Sequence, residues 1–573
     1  MPTTQKQQNT VLLLLLGAAL GVASFLIVYG VSPLDVGNDL WIRYGYDESD
    51  VRQHYAGWLA FRSSSWRFPL AQADCIGYPY AAGVNVAFSD AMPILSIFFK
   101  LFAAWQPATF QWFGLYELAV FALQGAAAAL LLGLFFTSLP AIGAGTLLFT
   151  FSPVMLERAF RHVSLSSHYF VVFALYFYLR GRREGRCFKG AFWLLAAVSV
   201  GITPYFLPMV AFFALLLAVE NFWRSRKPLQ PALLLGGTCA AGVGNALLLG
   251  TLGNGYSSSR DGYGFYSMNL NAVFNPDSLG GYTWSHLLPK RAHLYGQYDG
   301  FNYLGLGVLA LLAVMVVVSA VAAVKSPRCR AGLARTLHRN AFLLVMLALL
   351  TLFAASNVLC FDDHELLTIP LPQFVLSLCG IFRASSRLFW PVYYTAMLGG
   401  LVWLQRALGR WLHKEALVPL AVAAVAAVQL LDMTGVIAEK HTYMTETAAR
   451  QDPTPAALAE RIGDYDVVMM ATDMNYMRNI LCTVLKYDVK TNGRDTNTAT
   501  AAMVETELWA IDQTDAVDNG TLDPSMLYVT RDPERFTKWQ ELYADRADFV
   551  TWDQQAAGTE EWAEIDLFML PKQ

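Results

Sequence analysis

Charge is what this chain has least of. Only 15% of its 573 residues are Asp, Glu, Lys or Arg, 55% are apolar, and the mean hydropathy is +0.38. That balance excludes an ordinary soluble protein. Cysteine is also scarce. There are seven, an odd number, and two of them (Cys187 and Cys329) fall in loops expected to face the cytoplasm, so no disulfide framework is implied. Cys360 and Cys379 share one loop, where separate buried thiols are the expected state. No spacing of Cys or His matches a zinc site. The polar tail holds no glycine-rich phosphate loop, nucleophile elbow or metal motif. The net charge of −3 conceals an asymmetry: from Pro453 onward 22 acidic residues face 10 basic ones, and the remainder is basic. An acidic tail argues against nucleic acid as a partner.

Long apolar runs, by contrast, recur throughout. Val11 to Tyr29 has only Lys6 before it and no clear small-residue cleavage site after it, so it reads as a retained span. Further spans are expected near Leu118–Phe136, Leu139–Leu156, Val163–Leu179, Ala191–Thr203, Tyr205–Val219, Pro231–Leu252, Phe301–Val324, Ala341–Ser356, Phe389–Leu404 and Leu417–Leu431. The expected fold is a polytopic α-helical membrane protein with eleven spans and a small C-terminal α/β soluble domain. Lys and Arg gather in alternate loops, at 180–189, 224–227, 325–339 and 406–414. This orients the chain with a cytoplasmic N-terminus. A membrane domain over 1–437 then carries a first outer loop, 32–112, and a large outer loop, 253–300. An outer domain over 438–573 follows, with strands expected at 465–471, 526–530, 549–552 and 565–570 and a helix at 532–543.

The first outer loop holds Asp47, Glu48 and Asp50 ahead of an apolar-faced helix. With Asp47 as its cap, helical spacing puts Asp50, His54, Gly57, Trp58 and Phe61 on one face, suited to lying flat at a membrane surface. Helix capping alone explains the acids equally well. Asp90 stands before Ala-Met-Pro, where capping is its default role, and Ala91–Trp105 reads as a second interfacial or re-entrant helix. Arg161 and His162, at a span end, can hold a phosphate or reach lipid headgroups. The large loop is rich in Gly, Tyr, Asn and Ser, including Tyr266 and Asn269, a composition that binds sugars or orders a lid. Arg383 and Arg387 lie four apart around Ser385 and Ser386, and two guanidiniums so spaced can converge on one phosphate.

These motifs together resemble the GT-C superfamily of membrane glycosyltransferases. The segment DESDVRQHYAGWLAFRSSSWRFP is similar to the first outer loop of aminoarabinose and protein O-mannosyl transferases. It is more similar still to a bacterial branch with D-x-x-Q-H-x-x-G-W, then F-R and W-x-x-P. Asp50, Gln53, His54, Gly57, Trp58, Phe61, Arg62, Trp66 and Pro69 fit that pattern. Asp90 and Pro93, Tyr266 to Leu270, Gly300 to Gly307 and Phe382 to Pro391 (F-R-x-S-x-R-x-F-W-P) fit the later ones.

The resemblance covers roughly residues 10 to 435. It implies an enzyme of the bacterial plasma (inner) membrane that moves a hexose or pentose from a polyprenyl-phosphate donor to a glycan, lipid or protein acceptor at the outer face, with inversion. It implies an Asp general base, and leaves open whether Asp47 or Asp50 acts. His54 would orient that base or touch the phosphate. Arg383, Arg387, Arg161 and His162 would meet the leaving phosphate, with Tyr266, Asn269 and Asp90 near the substrate. Some relatives use a divalent cation such as Mg or Mn. Asp47, Asp50 and Asp90 are an acidic set too sparse to assign a metal site from sequence. The alternative is a transporter or flippase of a lipid-linked sugar. Against it stand the absence of an inverted repeat and the crowding of charged and aromatic residues into outer loops rather than mid-span.

Overall fold

The structure, a computed structural model of the chain, describes residues 9–45, 50–74, 76–80, 84–252, 263–472, 478–493, 501–553 and 565–573. Its frame is helical. Helix α1 (Thr10–Tyr29) starts where the Asn9 side chain accepts from the Val11 N–H and stops at Gly30, whose φ of 68° a side chain would disfavour. A further helical turn (Leu40–Arg43) follows, and α2 (Val51–Ser63) begins directly after Asp50. The helical series continues with α3 (Phe113–Gly133), α4 (Leu139–Thr150) followed by α5 (Pro153–Arg158), α6 (Tyr169–Glu184), α7 (Lys189–Ile202), α8 (Phe206–Ser225), α9 (Leu229–Leu249), α10 (Leu306–Lys325), α11 (Ala341–Ala355), α12 (Trp390–Arg406) and α13 (Val418–Asp432). Helices α1 and α3 touch backbone to backbone. A Cβ placed on Gly17 would sit 2.2 Å from the Gly125 carbonyl oxygen, so small residues are what allow the approach.

Among the described residues, seven helices are long and apolar enough to cross a membrane: α1, α3, α4 with α5, α8, α9, α10, and α13 with its short lead-in from Glu415. The outer face of α10, with Val314, Val316, Val317, Val321 and Val324 exposed, has no protein against it, as a lipid-facing helix requires. The protein is therefore a membrane protein. The sequence count of eleven spans is not reproduced. The other four stretches form α6, α7, α11 and α12, of 16, 14, 15 and 17 residues. These are short for a straight crossing of a roughly 30 Å core. Helix α11 also pairs with Pro327–Arg339 across a 68° bend, an alternative eighth span. The segment expected as a second interfacial helix forms only Pro93–Lys100 and one further turn. Lys100 turns inward there, donating to the Ser64 carbonyl at 2.6 Å over the Phe61 ring.

After α13 the chain runs through α14 (Thr434–Ala448) into an α/β portion. Its strands are β1 (Val467–Met470), β2 (Lys490–Thr491), β3 (Met526–Thr530), β4 (Ala547–Asp553) and β5 (Ile565–Pro571). Helices α15 (Arg478–Lys486), α16 (Ala501–Asp518) and α17 (Pro533–Tyr543) complete it. The sheet order is β2-β1-β3-β5-β4, parallel on the β1 side and antiparallel through β5. The four expected strands lie where their apolar runs predict, and Asp532 caps α17 by accepting from Glu534 and Arg535 N–H. The two-residue β2 has no such run and escapes a sequence reading.

This portion is fastened to the first loop. Ile76 bridges to Thr491, Tyr78 N–H donates to the Thr491 carbonyl at 3.0 Å, and Thr506 donates to the Gly77 carbonyl at 2.8 Å. Asp452 receives both Arg43 and Lys486. Helix α15 packs along α2, where the Cys482 thiol meets the Arg52 carbonyl. Helix α2 is thus enclosed on every side from Val51 to Phe61, which corrects the expectation of a helix lying flat at a membrane surface.

Candidate functional site

Five separate segments converge on one cavity of about 430 Å³. Asp50 comes from the start of α2, Asp90 from the turn after residues 86–89, and Arg161 and His162 from the turn after α5. Tyr266, Tyr298 and Asp299 come from the large loop, and Arg383 and Arg387 from the segment before α12. Most of the residues singled out by sequence line it together. Asp47 lies outside the described residues.

Asp50 occupies the N-cap position of α2, yet its side chain makes no capping bond. It accepts instead from His162 Nδ1 at 2.7 Å, so capping does not account for it. Asp90 is not the cap of the following helix either, because Met92 holds that position. Asp90 sits at φ 53°, a left-handed conformation that Asp tolerates better than most residues. Its Oδ2 lies 3.7 Å from His162 Nε2. His162 is therefore flanked by two carboxylates, the Asp50 side chain 38% exposed and that of Asp90 18%. Burial pushes the Asp90 carboxyl above its ordinary range, and His162 and Arg387 oppose the shift. His54 is fully buried behind them, its ring 4.9 Å from that of His162 and nearly perpendicular to it.

Gly57 makes this arrangement possible. A Cβ there would fall 1.8 Å from Ser89 Oγ and 2.5 Å from Ser89 Cβ. The missing side chain lets α2 seat against residues 86–89, one turn beyond His54 and next to Asp90. Gly57→Ala is expected to force the two segments apart and destabilise the protein by about 1–3 kcal/mol, the usual cost of overpacking. A fall in the thermal unfolding midpoint of detergent-purified protein checks this, and an unchanged midpoint contradicts it.

The rest of the polar lining is cationic, and its organiser is Asp299. Arg158 Nη1 donates to Asp299 Oδ1 at 2.8 Å, and Arg387 grips the same carboxylate through Nε (3.0 Å) and Nη2 (3.1 Å). Burial would raise the Asp299 carboxyl, but Arg158 and Arg387 outweigh it and hold the group well below the usual carboxylate range. Burial would likewise lower Arg387, and Asp299 reverses this, keeping the guanidinium charged. Arg387 also stacks over Tyr205 and Arg383 over Tyr266, with cation-to-centroid distances of 4.5 and 5.6 Å. Arg161, buried and paired with Glu157, faces the cavity rather than lipid headgroups.

Some sequence expectations are redirected. Ser385 and Ser386 do not extend the arginine pair, since they donate to the carbonyls of Ala354 and Asp299. Asn269 does not line the cavity: its amide bonds Gln297 and the Asp362 carbonyl, bracing the large loop. The sequence reading missed Asp299, Tyr205 and Tyr298. An acid immediately before the Gly300–Gly307 run was the available signal for Asp299.

In chemical terms the cavity sets a half-exposed carboxylate, held by an imidazole, opposite guanidiniums fixed by a buried aspartate. Such a site can accept a proton on one side and bind an anionic oxygen on the other. A comparison with curated proteins finds no match. Residues 18–434 match the family described as a domain of unknown function (DUF6311), and the chain belongs to that family.

Proposed function

We propose that this protein is a GT-C-type membrane glycosyltransferase, taking a sugar from a polyprenyl-phosphate donor and passing it to an acceptor hydroxyl with inversion. The observation that carries the reading is the shared cavity, with Asp50 on one wall and Arg161, Arg383 and Arg387 on the other. Asp50 is the base: it takes the acceptor proton as that oxygen attacks the anomeric carbon. The bond to the phosphate breaks with its electron pair, and the arginines stabilise the departing anion. On the same reading the four shorter helices complete eleven crossings of a bacterial plasma membrane. The N-terminus is cytoplasmic, and the cavity and the α/β portion over 438–573 face outward.

Arg383 provides the test. It lines the cavity without belonging to the Asp299 cluster, so Arg383→Ala removes charge while leaving that cluster intact. It is expected to weaken binding of a short-chain polyprenyl phosphate to the purified protein about ten- to a hundredfold, the weight of one charge-assisted hydrogen bond. Unchanged binding would remove the phosphate from this wall.

A further inference from the structure

We infer that His54, Asp90 and His162 form a binding site for a borderline divalent transition metal of the zinc type, on the carboxylate side of the cavity. The three residues each offer a ligand atom, and these atoms lie within 4.8 Å of one another. Mg2+, one of the cations the resemblance implies, does not fit this set. It requires oxygen ligands in a near-octahedral shell, whereas two imidazoles and one carboxylate are donors that zinc, cobalt and ferrous iron accept.

Three features of the geometry support an ion rather than a plain hydrogen-bonded cluster. The 3.7 Å between His162 Nε2 and Asp90 Oδ2 is too long for a hydrogen bond. It is close to the spacing of roughly 3.4 Å between two ligands bound tetrahedrally at about 2.1 Å. The second feature lies on the far side of the ring. His162 Nδ1 lies 2.7 Å from Asp50 Oδ2, and in the neutral tautomer that donates there Nε2, the nitrogen on the Asp90 side, carries the electron pair a metal needs. A carboxylate on the outer nitrogen of a ligating histidine is the usual means of fixing its tautomer and raising its basicity. Third, His54 reaches the group from a different element, and the close approach at Gly57 is what brings it there.

Three protein ligands leave at least one coordination position for an oxygen of water, phosphate or sugar. The ion would add positive charge beside Asp50 and polarise whatever oxygen it held. Within this site Asp50 is a positioning residue for His162.

The experiment uses untagged, detergent-purified full-length protein stripped with chelator and reloaded with Zn2+, Co2+, Mn2+ or Mg2+, without any sugar donor. Metal content by mass spectrometry is expected to show one Zn2+ retained per chain, and Co2+ to develop the visible absorption of a four-coordinate site. Mg2+ should not compete at equal concentration. Asp90→Asn and His54→Gln are expected to lose the ion. Asp50→Asn, which keeps all three ligands, is expected to weaken it roughly 10- to 100-fold. The Co2+ spectrum is read on the wild-type protein, so a variant that fails to fold does not decide the matter. Failure of the wild type to retain Zn2+ or to give the Co2+ band would overturn the site, as would retention equal to that of well-folded Asp90→Asn. Because no donor is present, either result leaves the transferase reading to its own test.

Discussion

Asp299→Asn is expected to destabilise the protein by about 3–5 kcal/mol, the cost of leaving buried charges without their counter-ion. Asp299 is buried, and two guanidiniums depend on it: Arg158, itself buried, and Arg387, which spans it with two hydrogen bonds. The Asn side chain preserves shape and one acceptor but removes the charge that both arginines share. Denaturant or thermal unfolding in detergent measures the loss. The pH dependence follows in sign. A carboxyl held below its ordinary value stabilises the fold at pH above the unfolded pKa of about 3.9, and this is lost as pH falls through the lower native value. The gap between wild type and variant is therefore full at neutral pH and closes only in strong acid. A gap that widens on acidification, or a neutral-pH difference below 1 kcal/mol, contradicts the network.

The second large effect is on rate. Asp50→Asn is expected to lower sugar transfer by about 10²–10⁴-fold, the range a positioned general base contributes. The substitution is nearly isosteric and its amide oxygen can still accept from His162, so folding and phosphate binding should persist. Turnover and polyprenyl-phosphate affinity, measured on the same preparation, separate this from the Arg383→Ala effect, which falls on binding. Equal losses in both quantities would mean that Asp50 holds structure rather than accepting a proton.

How much of this was legible in the chain depends on what kind of cost each residue declares. Arg161, His162, Arg383 and Arg387 stood out because ionisable groups beside apolar spans are expensive to bury. All four line the cavity. Asp50 and Asp90 were legible as acids but not as partners, because the contact that joins them, His162, comes from a segment more than seventy residues away from either. Asp299 was passed over for the same reason: its place before the Gly300–Gly307 run marks it only weakly, and it acquires its role when the loop folds back onto α5 and the segment before α12. Asn269 misled because amides suit both sugar binding and loop bracing, and burial decides between them. Helix α2 misled differently. Its periodicity describes one apolar face, and nothing local says that α15, more than four hundred residues on, covers the other side. The two span counts, eleven and seven, part where apolar composition continues through short or bent helices, as in α7 and α11, since hydropathy does not report helix length.

The most direct test of the central claim is single-turnover sugar release by purified wild-type protein from a small panel of radiolabelled polyprenyl-phosphate sugars, with Asp50→Asn alongside. The account predicts release of sugar from at least one donor by the wild type, and its loss in the variant with donor still bound. Donor binding without release from any member of the panel would contradict it, and would favour a carrier of lipid-linked sugar over a transferase.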